Sequence, residues 1–305
     1  MAGPYRGLGE TLADRGDTRG DSVRTMRFAF KTSPQHTTWA DMLAVWKAAD
    51  DIDIFESGWT FDHFYPIAGD TDGPCLEGWL TLTALAQATR RVRIGNLVTG
   101  IHYRHPAVLA NMASTLDIIS GGRLELGIGA GWNEQESGAY GIALGTPRER
   151  SDRFEEACEV LVGLLRDETT DFDGKFYHLS GARNEPKGPQ RPHPPIVIGG
   201  SGEKRTLRTV ARFAQHWNFG GGSSPDEFPH KRDVLYAHCE AVGRDPKEIL
   251  ISSHVRFGPD GDPQLVAERA AALAAAGVDL GIVVLPTPHT PAILEPLAAA
   301  LEPLR

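Results

Sequence analysis

From Arg27 onward the chain repeats one pattern eight times: a short β-branched or apolar run, then a longer segment with helical spacing of its apolar residues. A strand, a helix and a further strand in that order return the chain in the same direction, which confines the fold to parallel α/β architectures. RFAFK (27–31) precedes a helix near 39–49, DIFES (53–57) one near 78–88, VRIGNLV (92–98) one at 106–119, and RLELGIG (123–129) one at about 148–166. In the second half PIVIGG (195–200) leads into 203–213, QHWNFGG (215–221) into 226–242, ILISSHV (249–255) into 263–276, and LGIVVLP (280–286) into 291–300. The 3.6-residue period places Val108, Leu109, Met112, Leu116 and Ile119 on one face of the third helix. It places Phe154, Cys158, Leu161, Val162 and Leu165 on one face of the fourth. The competing arrangement is a doubly wound open sheet, but no GxGxxG follows the first strand, where a dinucleotide-binding turn would sit. The expected fold is therefore a (β/α)8 TIM barrel with insertion segments at its C-terminal face.

Two linkers exceed ordinary barrel loops, about 58–77 and about 167–194, and ordered loops of that length are more often functional lids than filler. The first 25 residues are polar, Gly-rich and mixed in charge, with no apolar run for a signal sequence. Residues 1–25 are expected to form a disordered tail, and 26–305 the barrel domain, starting at Met26. A hydrophobic content of 41% suits a sizeable core, while a net charge of -9 disfavours nucleic acid as a partner. No run approaches the roughly 20 apolar residues of a membrane span. Cys75, Cys158 and Cys239 are scattered without CxxC spacing, which fits a reduced cytoplasmic protein. The histidines show no HExxH or similar spacing, so no metal is expected, and no GxSxG surrounds Ser151, Ser201 or Ser252.

Barrel chemistry lies at the C-terminal strand ends, so the residues following each strand are the candidates. After the second strand come Asp62 and His63, an imidazole beside a carboxylate, suited to acid–base work near neutral pH. After the third come Asn96, Leu97, Val98 and Thr99, small and polar enough for a flat ring to approach the backbone. The fourth ends in alternating glycines followed by Trp132, able to stack on a ring, and Asn133, able to hydrogen-bond it. After the fifth, Gly199, Gly200, Ser201, Gly202 and Glu203 open a helix, and backbone N–H groups there suit a phosphate. The Glu203 carboxylate is compatible with that anion only if its side chain points away.

Four segments in order, FESGWTFDHF (55–64), IGNLVTGIHYRHPAVLANMASTLDIISGGRLELGIGAGWNEQE (94–136), PRERSDRFEEACEVL (147–161) and PPIVIGGSGEKRTLRTVARFAQHWN (194–218), resemble the luciferase-like monooxygenase superfamily, in particular its coenzyme F420-dependent oxidoreductase branch. The likeness extends from residue 27 to about 290. It implies that Asp62 and His63 sit at the deazaflavin ring, with His63 as the acid–base residue oriented by Asp62. It also implies a non-prolyl cis peptide at Asn96–Leu97 backing the ring, Trp132 and Asn133 flanking it, and the cofactor phosphate on Gly199–Gly202. The chain departs from the sugar-phosphate dehydrogenases of that branch in carrying Ile67 for a Trp and Trp132 for a Glu, which argues against glucose 6-phosphate as substrate.

The expected activity is hydride transfer between coenzyme F420 and a small organic substrate. The alternatives are a two-component monooxygenase using reduced FMN with a flavin reductase partner, and a flavin-binding barrel without turnover. A homodimer is common in the superfamily.

Overall fold

A computed structural model describes residues 25–220 and 225–305. Ten strands follow in chain order: β1 (Arg27–Lys31), β2 (Phe55–Asp62), β3 (Arg93–Gly100), β4 (Leu124–Gly129), β5 (Thr170–Asp173), β6 (His178–Ala182), β7 (Ile196–Gly199), β8 (His216–Phe219), β9 (Leu250–Arg256) and β10 (Leu280–Val284). The helices are α1 (Trp39–Asp50), α2 (Gly78–Ala88), α3 (Pro106–Ile119), α4 (Glu134–Ala139), α5 (Pro147–Arg166), α6 (Thr206–Phe213), α7 (Phe228–Ala241), α8 (Pro263–Ala276) and α9 (Leu294–Leu301). Eight of the strands close into a barrel in the order β1-β10-β9-β8-β7-β4-β3-β2, and every pairing in it is parallel. This is the expected (β/α)8 TIM barrel. Among the described residues no helix is long and apolar enough to cross a membrane.

The differences from the sequence reading are local. β2 runs on to Asp62, because the residues after Ser57 are buried and keep pairing with β3. The linker at 167–194 contains the antiparallel hairpin β5–β6. On α3, Val108 and Ile119 are exposed, at 55% and 37%. The buried face is instead Leu109, Ala110, Ala113 and Leu116, where alanines allow close packing of helix on strand. α6 begins at Thr206, so Gly199–Glu203 precede the helix rather than open it. The tail expected at 1–25 lies outside the described residues except for Thr25, as does Gly221 of the sixth predicted strand.

Alternation of side chains along each strand produces two apolar layers. The larger lies between barrel and helices, with Phe28, Phe30, Trp46 and Phe55 in it. The smaller fills the barrel interior with Ala29, Trp59, Leu97, Val197, Leu280 and Ile282. The N-terminal end of the barrel holds a polar network. Arg27 clasps Glu56 through two bonds of 2.6 and 2.8 Å. Arg93 donates to Glu125 at 2.8 Å, Glu125 accepts from His216 Nδ1 at 3.0 Å, and His216 Nε2 meets Ser252 Oγ at 2.6 Å. Burial opposes ionisation of Glu125, yet Arg93 and His216 outweigh it and hold the carboxyl down at about 2.

Candidate active site

His63 follows the last residue of β2 and is 8% exposed. Its ring makes edge contacts with Phe61 and Trp132, at centroid distances of 5.2 and 5.5 Å. Nδ1 lies 2.8 Å from Glu136 Oε2, and Nε2 has no hydrogen-bond partner among the described residues. Asp62 does not orient this imidazole. It is fully buried and gripped by both terminal nitrogens of Arg104, at 2.5 and 3.1 Å, and Arg104 also reaches Glu77 at 2.8 Å. Successive residues at the end of an extended segment point to opposite sides, so the adjacent pair cannot share one face.

The carboxylate that serves His63 is Glu136, the third residue of α4. Glu136 also accepts from the Tyr103 hydroxyl at 2.5 Å and from the backbone N–H of Phe64 and, at 3.3 Å, of Tyr65. Burial alone would raise this carboxyl, but the bonds from His63, Tyr103 and Phe64 hold it below the ordinary carboxylate value. Tyr103 is pushed up by burial and by Glu136, so its hydroxyl stays a donor. A carboxylate can only accept, which places the His63 proton on Nδ1 and leaves Nε2 as the acceptor of the neutral ring.

In β3 the cis peptide falls at Leu97–Val98, one residue beyond the expected Asn96–Leu97. Asn96 is 2% exposed and its side-chain oxygen accepts from Thr60, so the amide is turned to the neighbouring strand. Leu97 packs inside the barrel, and its carbonyl accepts from Lys31 Nζ at 3.0 Å. The Thr99 hydroxyl is buried and accepts from the Trp79 indole at 2.9 Å. Val98 is the half-buried member that reaches over the mouth. A Cβ placed on Gly129 would come within 2.9 Å of Val98, and one on Gly199 within 3.3 Å, so glycine is what keeps this floor open.

Trp132 is 60% exposed and stands beside His63. Asn133 caps α4, its side-chain oxygen accepting from Glu136 N at 3.1 Å, so that oxygen is committed to the helix. At the end of β7, Gly200 adopts φ +115, its N–H donates to Asn218 O, and its carbonyl accepts from the Trp217 indole at 2.7 Å. The N–H groups of Ser201 and Gly202 have no acceptor among the described residues. Glu203 turns toward α7, where Lys231 and His230 meet its carboxylate at 2.6 and 3.1 Å, which removes the conflict with an anion. Arg205 is engaged by Asp152 and Glu155. A floor at Val98 kept open by glycine, with N–H donors at its rim that have no acceptor among the described residues, fits a flat ring carrying an anionic tail.

Sequence reasoning missed Glu136, Tyr103, and the contact between buried Lys31 and half-buried His254. The spacing Asn133-x-x-Glu136 carries a legible signal, that of a helix start, but says nothing of a glutamate reaching back to His63. Lys31 Nζ lies 3.4 Å from His254 Nε2, and His254 Nδ1 is buried without a partner. Burial and the Arg256 charge lower the Lys31 ammonium to about 7.

Residues 26–294 match the family model described as luciferase-like monooxygenase. A curated relative, the F420-dependent glucose-6-phosphate dehydrogenase of Microbacterium testaceum, is 29% identical over 80% of this chain and 72% of its own length. The FMNH(2)-dependent dimethylsulfone monooxygenase of Pseudomonas putida is 33% identical, over 47% of this chain and 39% of its own. A solved F420-dependent secondary alcohol dehydrogenase, in complex with an F420-acetone adduct, superposes with a TM-score of 0.82 at 18% identity, covering 92% of this chain and 99% of that one. At that identity the likeness is one of fold.

Proposed function

The chain belongs to the luciferase-like monooxygenase family of oxidoreductases, and from that premise we propose that it is a coenzyme F420-dependent oxidoreductase transferring a hydride between the deazaflavin and a small organic substrate. The observation that carries this reading is His63, with Nδ1 fixed by Glu136 and Nε2 without a hydrogen-bond partner among the described residues. Similarity to the F420-dependent dehydrogenase over most of both chains supports the deazaflavin. Val98, Leu97, Gly129 and Trp132 would hold its ring, and the N–H groups of Ser201 and Gly202 its phosphate. When bound, the deazaflavin supplies two-electron hydride chemistry.

The protein's own residues supply the proton chemistry. Nε2 of His63 accepts the proton of a substrate hydroxyl during oxidation, and returns it in the reverse direction. Glu136 stabilises the positive charge that this puts on the imidazole, and the Tyr103 and Phe64 donors hold Glu136 in place. Phe61 and Trp132 exclude water from the flanks of the ring. Asp62, locked to Arg104, fixes the start of the loop that carries His63 and moves no proton.

The test pairs a binding measurement with a variant. Fluorescence titration is expected to give a lower dissociation constant for F420 than for FMN, and tighter FMN binding overturns the cofactor assignment. His63→Ala is expected to lower kcat about 10²- to 10⁴-fold while sparing F420 binding; unchanged turnover removes His63 from the mechanism. A second reading, an FMN-dependent monooxygenase served by a separate reductase, is supported by the likeness to the dimethylsulfone enzyme. Substrate-dependent oxygen uptake with reduced FMN would favour it.

A further inference from the structure

The barrel wall next to the strand that leads to His63 gathers basic side chains with no acid among them. Alternation sends Lys31 of β1, and Ser252, His254 and Arg256 of β9, toward the barrel axis, since Phe28, Phe30, Ile251 and Val255 belong to the outer apolar layer. The inward row of β9 runs from buried Ser252 through half-buried His254 to exposed Arg256, so it ends at the mouth. Only β10 separates β9 from β1, and β1 pairs in turn with β2. We propose that Lys31 and Arg256, together with His254, form an anion subsite that receives the carboxylate of a small hydroxy acid, or of the oxo acid it is oxidised to.

The balance of charge calls for an anion. Lys31 is buried, its Nζ donates to the Leu97 carbonyl at 3.0 Å and lies 3.4 Å from His254 Nε2, and neither partner carries a negative charge. A buried ammonium is ordinarily paired with an acid. Here the charge that acts on Lys31 is that of Arg256, and the charges that act on His254 are Lys31 and Arg256, all of one sign. Burial first, and then these cations, hold the Lys31 amine at about 7 and the His254 imidazole well below its usual value. Arg256 has no carboxylate partner among the described residues. Other charges at the strand ends are matched, Asp62 and Glu77 by Arg104, Glu203 by Lys231, and Arg205 by Asp152 and Glu155.

A carboxylate suits this wall better than a phosphate. The backbones of β1 and β9 are paired on both sides, so the wall offers side-chain donors alone, a guanidinium fork and the remaining N–H groups of one amine. The backbone N–H groups that suit a phosphate stand elsewhere, at Ser201 and Gly202 after β7. In the eight-strand order β10 lies across the barrel from β4, so the arc from β9 to β1 faces the glycine-kept floor and ends beside β2. The hydroxyl half of the assignment rests on the role proposed for His63. The carbinol hydrogen leaves as hydride to the oxidised deazaflavin, the hydroxyl proton goes to His63 Nε2, the carbon becomes a carbonyl, and the carboxylate is unchanged. The anion subsite itself does not depend on that role.

The probe is lactate, titrated at constant ionic strength into the full chain without cofactor, with propane-1,2-diol as its uncharged counterpart. The lysine Cε signal that titrates near 7 in NMR reports on Lys31 and needs no variant. Lactate is expected to bind saturably and to raise that midpoint, and the diol to leave it in place. Arg256→Gln, at an exposed strand end, is expected to weaken lactate about ten-fold, and Arg256→Lys less. A midpoint that lactate does not move, equal affinity in folded Arg256→Gln, or tighter binding of inorganic phosphate than of lactate overturns the subsite. Displacement of lactate by F420 assigns the anion to the cofactor and overturns it as well. Lactate that binds and raises the midpoint, yet does not reduce F420, leaves the subsite standing and overturns the oxidation assigned to His63.

Discussion

The barrel contains the same dyad twice, a histidine whose Nδ1 meets a buried glutamate, and the two copies differ in what surrounds the other nitrogen. At the N-terminal end His216 pairs with Glu125, and its Nε2 is taken up by Ser252 at 2.6 Å. At the mouth His63 pairs with Glu136, and its Nε2 has no partner among the described residues. Arg93 compensates Glu125 directly, whereas Glu136 is surrounded by neutral donors, Tyr103 and two backbone N–H groups. A saturated dyad holds structure, and one with an open nitrogen can exchange a proton with a ligand. The pairing by itself does not distinguish the two. The vacancy does.

The largest effect that would break this comparison concerns the closed dyad. Glu125→Gln removes the buried carboxylate that half-buried Arg93 and buried His216 share, and is expected to cost about 3 kcal/mol of stability in urea denaturation. Glu125 is held down at about 2, so its contribution is full above about 4.5 and is lost as pH falls toward 2. The gap between wild type and Glu125→Gln should therefore close on acidification through that window. A variant that kept full stability but lost turnover would place catalysis at the wrong end of the barrel.

Next in size is Glu136→Gln. Its carbonyl oxygen can still accept from Phe64 and Tyr65, but the amide nitrogen then faces His63 Nδ1 as a donor. The imidazole proton moves to Nε2, and the free nitrogen changes from acceptor to donor. kcat is expected to fall about 100-fold with a much smaller change in KM. If kcat stays unchanged, the open dyad is structural like the closed one.

The asymmetry between the two ends also explains what the sequence made legible. The strand–helix alternation depends on periodicity, which local residues carry, and the barrel order followed from it. His63 was found because its place after a strand is a statement about the chain. Glu136 and His63 are 73 residues apart, and a contact across that separation exists only once β2 and β4 are placed on the two sides of β3. The neighbour that the sequence offered, Asp62, faces the other way. In the same manner Asn133 looked like a ligand to a ring and is a helix cap, because Asn serves both purposes with the same oxygen.

Lys31 gives the smallest test. In RFAFK it reads as a charge at a strand end, yet closure of the barrel buries it against the Leu97 carbonyl, His254 and Arg256. An amine lowered from 10.5 to about 7 destabilises the folded state when it must be charged. Above about pH 10.5 neither state carries the charge and no penalty exists. As pH falls from there to about 7, the unfolded chain takes the proton more readily than the folded one, so stability declines, and below about 7 the penalty is constant. Lys31→Met lacks the group, so the stability of wild type relative to this variant should rise between pH 7 and 10.5 by at least about 1 kcal/mol, read from paired denaturation midpoints. Parallel curves would mean that water reaches Lys31, and that the mouth is wetter at its floor than its partnerless His254 Nδ1 implies.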